Sequence, residues 1–346
     1  MTTPERLQRY QALLAPGTPM RDGLERIVHG RTGALFVLGN SEAVQAVCSG
    51  GFHIDVAFTP SAARELSKLD GGIVLSEDLS RIIRAGVHFV PRGDLPTDET
   101  GTRHRSADRV ARQTGVPVVT VSASMSTIAL FMDGQRHPVE PPQLVLARTN
   151  QALTAMFSHR AHAQQLARAL NVMEVQDQAS VADVARLAQR LELGRRLERE
   201  VLDALVVLGA EGRLLGAQLA EVSQGRDEMS ELLARDYAGG HDVSQLHQLS
   251  DAELLDVSRV AGAFGLGDLR LDGRVHAVGL RQVRAVPQMT ADLADQLLAH
   301  FGSLQDLLGA TTADLAEVEG LTHQRARAIR EGLMRLTEAA LNDPTV

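Results

Sequence analysis

The feature that most constrains the fold is an abrupt change in sequence texture near Asn150. Before it, short β-branched and apolar runs alternate with helical patterns, and the most β-branched run is Val116-Pro-Val-Val-Thr-Val-Ser122. After it, the chain to about Leu208 is rich in Ala, Leu, Gln, Arg and Glu and poor in glycine. Short apolar runs flanked by turn residues are typical of strands, and apolar residues at helical spacing are typical of helices. The first part is therefore predicted to be an α/β domain with a mixed central sheet, and the rest to be helical.

Glycine marks where several predicted elements of the first part begin and end. A buried strand is predicted within Gly33-Ala-Leu-Phe-Val-Leu-Gly39. A later helix presents Ala107 and Val110 on one face and ends at Gly115. An apolar run before Asp133-Gly134 predicts a hairpin at that point.

The helical part is predicted to divide once more. Residues 148–275 form a helical spacer, in which Gly209-Ala-Glu-Gly212 breaks the long helices. Residues 276–346 contain shorter helices joined by tight apolar turns, which predicts a compact bundle. A weak doubling occurs there, because Val286-Pro-Gln-Met289 precedes a helix much as Val318-Glu-Gly-Leu-Thr322 does. Residues 1–147 are then the α/β domain.

Composition excludes several classes of protein. The 346 residues carry a formal net charge of −8, so any contact with nucleic acid must involve a local basic patch. Cys48 is the one cysteine, which excludes an intrachain disulfide framework and a cysteine-based zinc site. Residues 2–30 are unlike a signal peptide, and no run approaches the roughly 18 apolar residues of a membrane span. We therefore expect a soluble cytoplasmic protein with no membrane partner.

Two arginines and a histidine occur where a loop enters a helix, in Thr100-Gly-Thr-Arg-His-Arg-Ser-Ala-Asp-Arg109. Anions bind at helix N-termini because the first amides are free and carry partial positive charge. The forked guanidinium groups of Arg103 and Arg105 match phosphate oxygens. The alternative is a solvated basic turn whose partners are Asp98 and Glu99.

Smaller polar groups complete this pattern. Thr102 or Ser106 can cap the helix or donate to a phosphate oxygen, and a neutral His104 can ligate a metal. Upstream, Asp70-Gly71-Gly72 offers a carboxylate on a tight turn, and its glycines allow close approach of a ligand to the backbone. An Asp before Gly is usually only a turn residue. Together, the two segments suit a nucleoside triphosphate, with cations for the phosphates and a carboxylate for a metal or a proton.

Five segments, in this order and spacing, resemble the bacterial DNA integrity scanning proteins, a family of diadenylate cyclases. The segments are Arg21-Asp-Gly-Leu-Glu-Arg-Ile27, Gly33-Ala-Leu-Phe-Val-Leu-Gly39, Lys68-Leu-Asp-Gly-Gly-Ile-Val-Leu-Ser76, Val87-His-Phe-Val-Pro91 and Thr100-Gly-Thr-Arg-His-Arg-Ser106. The resemblance covers essentially the whole chain, since the helical spacer and the C-terminal bundle also fit. Its paired motifs around Asp70 and His104 are specific to the cyclase domain.

The resemblance implies that two ATP condense to cyclic di-AMP and two pyrophosphates, each 3′-hydroxyl attacking the other nucleotide's α-phosphate. It assigns Asp70 to deprotonating the hydroxyl or to holding Mg²⁺ or Mn²⁺, with His104 as a second candidate metal ligand. The implied ATP-binding residues are Gly71, Gly72, Phe89 (lining the adenine pocket), Thr102, Arg103, His104, Arg105, Ser106 and Ser122. Because two nucleotides react, two such domains must face each other, and a monomer is expected to be inactive.

Two positions depart from the family's pattern. The family usually has Ala where this chain has Gly72, and we expect the glycine to loosen the turn and weaken activity without abolishing it. Ala123-Ser-Met125 stands where some relatives carry arginines, which predicts a poorer grip on phosphate. A rival hypothesis follows, in which the chain is a DNA-scanning binding protein whose cyclase domain has decayed to a nucleotide sensor. A third hypothesis is a nucleotidyltransferase that joins AMP to a different acceptor.

The last domain resembles a tandem helix-hairpin-helix domain, whose apolar-Gly-apolar-Gly hairpin presents backbone amides to DNA phosphates without reading bases. The implied DNA-binding residues are Gly320, Leu321, Thr322, His323, Arg325 and Arg327. Thr322 stands where the second Gly is usual, and a positive φ there would be unfavourable. Residues 281–346 contain six arginines and nine acidic residues. A packing or oligomerisation module is therefore the alternative, and we favour weak, salt-sensitive DNA binding.

Partners and location follow only from the resemblance. It implies a homo-octamer whose two rings meet through their cyclase domains. The C-terminal domain would sense branched DNA, such as recombination intermediates, and lower cyclase output, which would associate the protein with the nucleoid.

Two other sets of residues are given structural roles. His159, Arg160 and His162 are expected on a solvated helix face, because no third metal ligand is evident. Cys48 lies beside apolar residues and is expected in the core, not as a nucleophile.

Overall fold

The computed structural model describes residues 3–342, which form two compact units. Among the described residues, the first unit contains the chain up to Gln151 together with Val201–Ala217. The second contains Ala152–Glu200 and the chain from Gln218 onwards. A single helix, Val181–Leu208, contributes residues to both units. The division into three domains stays a prediction.

An eight-stranded mixed sheet is the centre of the first unit, as the sequence predicts. The strands are β1 Ala34–Val37, β2 Cys48–Ser49, β3 Phe52–Ala57, β4 Gly72–Leu75, β5 Arg81–Phe89, β6 Val118–Ser122, β7 Thr127–Met132 and β8 Gln135–Val139. Their order is β2-β5-β4-β1-β6-β7-β8, with β3 also paired to β5. β1 is parallel to β4 and antiparallel to β6, so the sheet is mixed.

Helices cover both faces of this sheet. The helices of this part are α1 Thr3–Leu13, α2 Pro19–His29, α3 Glu42–Ala46, α4 Pro60–Leu66 and α5 Thr102–Thr114. Alternate strand residues point to opposite faces, so Phe36 packs in one core with α2 and α4, whereas Val37 packs in the other with α3 and α5. The predicted face of α5 is confirmed, because Ala107 and Val110 are fully buried in that second core.

Local turn chemistry fixes two of the predicted boundaries. Gly115 ends α5 in the left-handed conformation with φ 69°, which only glycine adopts without strain. Asp133 and Gly134 both have positive φ, 50° and 74°, between β7 and β8. Two consecutive left-handed residues match the twist of a tight hairpin, so the predicted hairpin is confirmed.

The remainder of the described chain is helical, as predicted. Its helices are α6 Pro142–Val175, α7 Val181–Leu208, α8 Arg213–Ser223, α9 Arg226–Tyr237, α10 Asp251–Leu254, α11 Val257–Ala263, α12 Leu280–Arg284, α13 Ala291–Phe301, α14 Leu304–Gly309, α15 Thr312–Ala316 and α16 His323–Leu341. α6 begins at Pro142, eight residues before the change in sequence texture at Asn150. Proline is well suited to the first position of a helix. Gly209–Gly212 forms a 3₁₀ turn that separates α7 from α8, which confirms the predicted break.

Two hydrophobic cores occur in the second unit. One is formed by buried residues between 167 and 277 together with Leu304, and the other by buried residues between 280 and 333. The C-terminal helices α12–α16 therefore pack around a core of their own, as the predicted compact bundle requires. Within residues 3–342, no helix combines the length and apolar character needed to cross a membrane.

Candidate functional site

Most of the predicted site residues meet at one edge of the sheet in the first unit. β1 and β4 begin at this edge, and β5 and β6 end at it, since Gly72 pairs with Val87 and Ala34 with Val121. The edge therefore contains Asp70, Gly71 and Gly72 before and at the start of β4, Phe89 at the end of β5, and Ser122 at the end of β6. Strand ends joined by loops on a rigid sheet are a common location for binding and catalytic groups.

The carboxylate of Asp70 is exposed and available to a ligand. It makes no hydrogen bond or ion pair with any residue in the described range 3–342. The next residue, Gly71, has φ 109°, and a Cβ there would lie 2.7 Å from the Val87 carbonyl oxygen. Only glycine fits this close approach of the β4 and β5 backbones, which fixes the chain immediately after Asp70.

Gly72 is part of the sheet, and the expectation that it loosens the turn is wrong. Its φ is not positive, and it is buried as the first residue of β4. A Cβ at this position would overlap the ring of Phe89 at Cε2 and lie 3.0 Å from the Leu35 carbonyl oxygen. The ring of Phe89 therefore occupies the space that the family's usual alanine methyl would fill, and the two positions are sterically coupled.

The start of α5 lacks a side-chain cap. The N-cap residue is Gly101, whose backbone carbonyl accepts from Arg105 N at 2.9 Å. Thr102 and Ser106 do not cap this helix, because both lie within α5 and no side-chain cap hydrogen bond is made. Their alternative role, donation to a phosphate oxygen, stays a prediction. A helix start without a side-chain acceptor leaves its first amides available to an outside anion.

Two unpaired guanidinium groups stand at this helix start. The exposed side chains of Arg103 and Arg105 make no hydrogen bond or ion pair within residues 3–342. The alternative in which acidic neighbours neutralise them is not supported for Glu99, whose carboxylate instead pairs with Arg136 at 3.5 Å. Glu99 therefore does not neutralise the positive charge of Arg103 and Arg105 at the start of α5.

Arg103 also connects α5 with the sheet edge. A Cβ at Gly33, directly before β1, would overlap the guanidinium of Arg103. The guanidinium therefore lies against the backbone where β1 begins, beside the start of β4. Sequence reasoning quoted Gly33 only as part of a strand pattern and missed this contact; its signal is a glycine directly before a buried strand.

His104 lies half-buried on α5. Burial, together with the guanidinium groups of Arg136 and Arg103, holds the pKa of His104 below its usual value. The neutral imidazole is therefore favoured, and its Nε2 atom is buried without a hydrogen-bond partner among the described residues. The ring lies 6.0 Å from the ring of Phe131, centroid to centroid. Arg136 contributes to this electrostatic setting, and sequence reasoning did not identify it.

The structure does not join all of the predicted site residues. Phe131 pairs with Val118, at the opposite end of β6 from Ser122, so the His104 ring contacts the sheet away from the Ser122 end. Asp70 and His104 form no mutual hydrogen bond or ion pair. Ser122 is buried, and its Oγ accepts from Met125 N at 3.3 Å and lies 3.4 Å from Ser124 Oγ.

A divalent cation would depend mainly on nucleotide oxygens at this edge. Within residues 3–342, no group of three or more His, Cys, Asp or Glu residues is arranged to hold a metal ion. Mg²⁺ is commonly held by one or two carboxylates plus substrate phosphates, and the unpaired carboxylate of Asp70 fits that pattern. The neutral imidazole of His104, with its unpartnered Nε2, has the chemistry of a ligand as well.

The predicted doubling in the C-terminal bundle is present in the backbone. Val286 N donates to Val283 O and Met289 N to Val286 O, and the same pattern links Leu321 N to Val318 O. The turn before α13 has a positive φ at Gln288, 63°, and the turn before α16 has one at Gly320, 84°. Two turns of similar backbone conformation therefore occur, one before each of these helices.

Thr322 avoids the strain that a positive φ would cause. Thr322 has φ −82° and ψ 153°, and its Oγ1 accepts from Arg325 N at 3.3 Å as the N-cap of α16. The left-handed conformation in this turn is adopted by Gly320 instead. Gly320, Thr322, His323, Arg325 and Arg327 are exposed, and Leu321 is half-buried.

Comparison with known proteins gives the family. Residues 21–136 match the family described as DisA bacterial checkpoint controller nucleotide-binding, and residues 139–270 match the one described as DisA bacterial checkpoint controller linker region. The DNA integrity scanning protein DisA of Cutibacterium acnes is 48% identical over 335 residues, which cover 94% of this chain and 97% of the relative. The chain belongs to the DisA family. The sheet-edge residues Asp70, Phe89, Arg103 and Ser122 all lie within the DisA nucleotide-binding match.

A second curated relative agrees with this membership. The DNA integrity scanning protein DisA of Streptomyces coelicolor is 46% identical over 340 residues, covering 95% of this chain and 91% of the relative. The solved structure of a double mutant of DacA from Staphylococcus aureus covers 40% of this DisA-family chain and 89% of its own, with 20% identity and a TM-score of 0.31. The membership places the sheet unit in a nucleotide-binding domain and most of the following helices in the DisA linker region.

Proposed function

We propose that this chain condenses two ATP molecules into cyclic di-AMP and two pyrophosphates, with Asp70 as the essential carboxylate. The observation that carries the proposal is the sheet edge, where the unpaired carboxylate of Asp70 and the unpaired guanidinium of Arg103 accompany an uncapped helix start. Such a site offers a proton acceptor or metal ligand beside donors for phosphate. The match to a nucleotide-binding domain supports the same chemistry.

In the proposed reaction, each 3′-hydroxyl forms a bond to the α-phosphorus of the other nucleotide. The bond between the α-phosphorus and the bridging oxygen breaks, pyrophosphate leaves, and the hydroxyl proton passes to Asp70 or to water. Arg103, Arg105 and the first amides of α5 stabilise the negative charge that develops on the phosphates. Mg²⁺ or Mn²⁺ bound with the nucleotide would be held by Asp70, with His104 as the second candidate ligand, and would neutralise phosphate charge.

The remaining site residues would position the nucleotide. Phe89 would line the adenine pocket, where its ring already packs over Gly72. Ser122 would contact the triphosphate from the end of β6, and Thr102 and Ser106 would donate to phosphate from α5. Each site holds one ATP, so two domains must face each other. A homo-octamer that pairs its cyclase domains is the assembly we propose.

The C-terminal hairpins would bind DNA. Arg325 and His323 are exposed and have no carboxylate partner among residues 3–342, whereas Arg327 pairs with Glu331 at 3.1 Å. Backbone contacts of this kind recognise phosphates and carry no base specificity. We propose that branched DNA, such as a recombination intermediate, binds here and lowers cyclase output, which would associate the protein with the nucleoid. Tight binding of branched DNA with an unchanged cyclase rate would contradict that regulation.

The experiment that tests the cyclase is direct. Purified protein is incubated with ATP and either Mg²⁺ or Mn²⁺, and the nucleotides are separated by chromatography. We expect cyclic di-AMP and pyrophosphate from the natural chain and none from Asp70→Asn. Asp98→Asn, which removes an exposed carboxylate from the loop before α5, is the matched control and should retain activity.

Two other outcomes would overturn the proposal. ATP bound without turnover under either metal would favour the nucleotide-sensor hypothesis, with DNA binding as the main function. Labelled AMP joined to a different acceptor would favour the general nucleotidyltransferase hypothesis.

A further inference from the structure

A cavity of about 440 Å³ lies within the second unit. Its walls come from the middle of α6, the middle of α7, the turn that joins α8 to α9, and Arg281 of α12. The volume falls within the range of small-molecule sites. None of its lining residues belongs to the sheet-edge site or to the proposed DNA-binding hairpins.

The charges around this cavity are of one sign. The ionisable residues in its lining are His159, Arg160, Arg168, Arg190, Arg226 and Arg281, and no Asp or Glu lines it. Clefts lined by one sign of charge concentrate ligands of the opposite sign. In a chain with a net charge of −8, such a concentration of arginine is a local feature.

Some of these arginines are neutralised from outside the cavity, and others are not. Arg226 pairs with Glu198 at 2.5 Å, and Arg281 pairs with Glu174 at 2.5 Å. By contrast, Arg160, Arg168 and Arg190 have no carboxylate within 4.0 Å in the described part of the chain. Arg160 donates instead to the Glu221 carbonyl at the C-terminal end of α8, at 2.5 Å. Three guanidinium groups therefore face the cavity region without a balancing carboxylate.

His159 shows the effect of this positive charge. Burial, the guanidinium of Arg190 and the neighbouring His162 hold the pKa of His159 below its usual value. Its Nδ1 lies 3.3 Å from Arg190 Nη1, and a neutral imidazole accepts this hydrogen bond. The expectation that His159 lies on a solvated face is therefore wrong, because its ring lies half-buried in the cavity wall.

The walls also hold polar atoms that lack partners. Ser223 Oγ and Arg226 Nη1 are buried and make no hydrogen bond within residues 3–342, whereas Arg281 Nε lies 4.0 Å from the Asp236 carboxylate. Unsatisfied buried donors are unfavourable, so a ligand rich in acceptor oxygens would be stabilised near them. The rest of the lining includes the apolar side chains Met156 and Leu191.

We propose that this cavity binds a nucleotide. Arg160, Arg168 and Arg190 hold its phosphate groups, because these guanidinium groups lack carboxylate partners and match phosphate geometry. The base packs against Met156, Leu191 and Met229, since methionine sulfur makes favourable contacts with aromatic rings. This second site is separate from the sheet-edge site and does not depend on the proposed cyclase activity.

Photoaffinity labelling of the full-length protein with 8-azido-ATP, followed by peptide mapping, tests the proposal. Expected labels lie in peptides from the middle of α6 and from the α8–α9 turn, and unlabelled ATP should compete. The double variant Arg168→Gln/Arg190→Gln should weaken this labelling by roughly tenfold or more, because two charge-assisted contacts are lost. Arg199→Gln, an exposed arginine on the same helix α7 but outside the lining, is the matched control and should leave it unchanged.

The peptide map separates this proposal from the cyclase. Labels confined to peptides of the first unit would overturn the second site and leave the cyclase proposal standing. Labelling of α6 that persists in the double variant would also overturn the second site. So would labelling that decreases in Arg199→Gln as much as in the double variant. Labels in the second unit without any in the first would support the cavity and contradict ATP binding at the sheet edge.

Discussion

Three helix starts in this protein differ in what accepts hydrogen bonds from their first amides. The N-cap of α5 is Gly101, which offers no side-chain acceptor, and the guanidinium groups of Arg103 and Arg105 beside it are unpaired within residues 3–342. α16 begins at Thr322, whose own hydroxyl accepts from Arg325 N. α12 begins at Gly279, and the distant carboxylate of Asp236 accepts from Gly279 N at 2.9 Å and Leu280 N at 2.6 Å.

Of these three helix starts, the start of α5 is the one available to an anion. At α12 the amides are already satisfied by a buried carboxylate, and at α16 one of them is satisfied by the cap. Only at α5, among these three, do an uncapped start and unpaired arginines occur together. Amides and cations left without partners in the folded chain are the groups that can bind phosphate tightly. We therefore expect strong nucleotide binding at α5 and weaker phosphate contacts at α16.

Apart from removal of Arg103 itself, the largest expected effect comes from displacing its side chain from the α5 site. Gly33→Ala adds a methyl where the guanidinium lies, so the side chain must shift. We expect kcat/KM for ATP to fall by roughly tenfold to a hundredfold, as when one charge-stabilising donor is misplaced. Gly93→Ala, in a loop where a Cβ meets nothing within 4 Å, is the matched control. Equal kinetics for the two variants would show that Arg103 does not act from this position.

Next is the packing of Phe89 on Gly72 beside the same site. Gly72→Ala should lower the free energy of unfolding by about 1–3 kcal/mol, because the methyl overlaps the phenyl ring in a packed core. Phe89→Leu in the same chain should restore most of the loss by removing the overlap. Chemical denaturation of the single and double variants measures the coupling. A double variant less stable than either single variant would contradict the steric account.

At α16, the effect of removing one cation should be smaller. Arg325→Gln should weaken DNA binding severalfold and lower the slope of log K against log salt by about 1, as expected for one lost phosphate contact. Arg327→Gln should change the slope less, because Arg327 already pairs with Glu331 at 3.1 Å. A salt titration of binding to branched DNA distinguishes them. Identical slopes in all three proteins would favour a packing or oligomerisation role for this domain.

The smallest effect concerns the buried cap of α12. Burial and the Glu174 carboxylate raise the pKa of Asp236 to about 6. Asp236 therefore binds its proton more tightly in the folded state than in the unfolded state. Its protonation adds to the free energy of unfolding in full below the unfolded pKa, and this contribution is lost as the pH rises through about 6. The melting temperature should therefore fall by roughly a few degrees between pH 4 and pH 6 from this group.

Asp236→Asn isolates that contribution, because an amide cannot titrate. Between pH 4 and pH 6, the melting temperature of the variant should fall less steeply than that of the natural chain, whatever its absolute stability. Asp268→Asn, at an exposed position, is the control. A slope unchanged by Asp236→Asn would show that the cap stays ionised throughout this range.

Much of the fold could be predicted from sequence patterns because local chemistry agrees with the final structure. The glycine at 115 and the Asp133-Gly134 pair each adopt the left-handed backbone that their residue types favour. Alternation along β1 likewise sends Phe36 and Val37 to opposite cores. Such features depend on residues that are near each other in the chain, which a single sequence records.

What could not be predicted depends on contacts between distant residues. The overlap of position 72 with Phe89, and of position 33 with Arg103, arises only when separate strands and a helix are packed together. The pairing of Glu99 with Arg136 is likewise invisible in the loop sequence, yet it decides that Glu99 does not neutralise Arg103. Thr322 shows the reverse case, since a motif position suggested strain where the backbone has an ordinary N-cap.

We expect catalysis to depend on the cations at α5 and not on those at α16. The most direct test measures the rate of cyclic di-AMP formation, without DNA, for Arg103→Gln and Arg325→Gln beside the natural chain. We predict a loss of roughly a hundredfold or more for Arg103→Gln, in line with removal of a charge-stabilising donor, and a natural rate for Arg325→Gln. A natural rate for Arg103→Gln, or equal losses in both variants, would contradict the account.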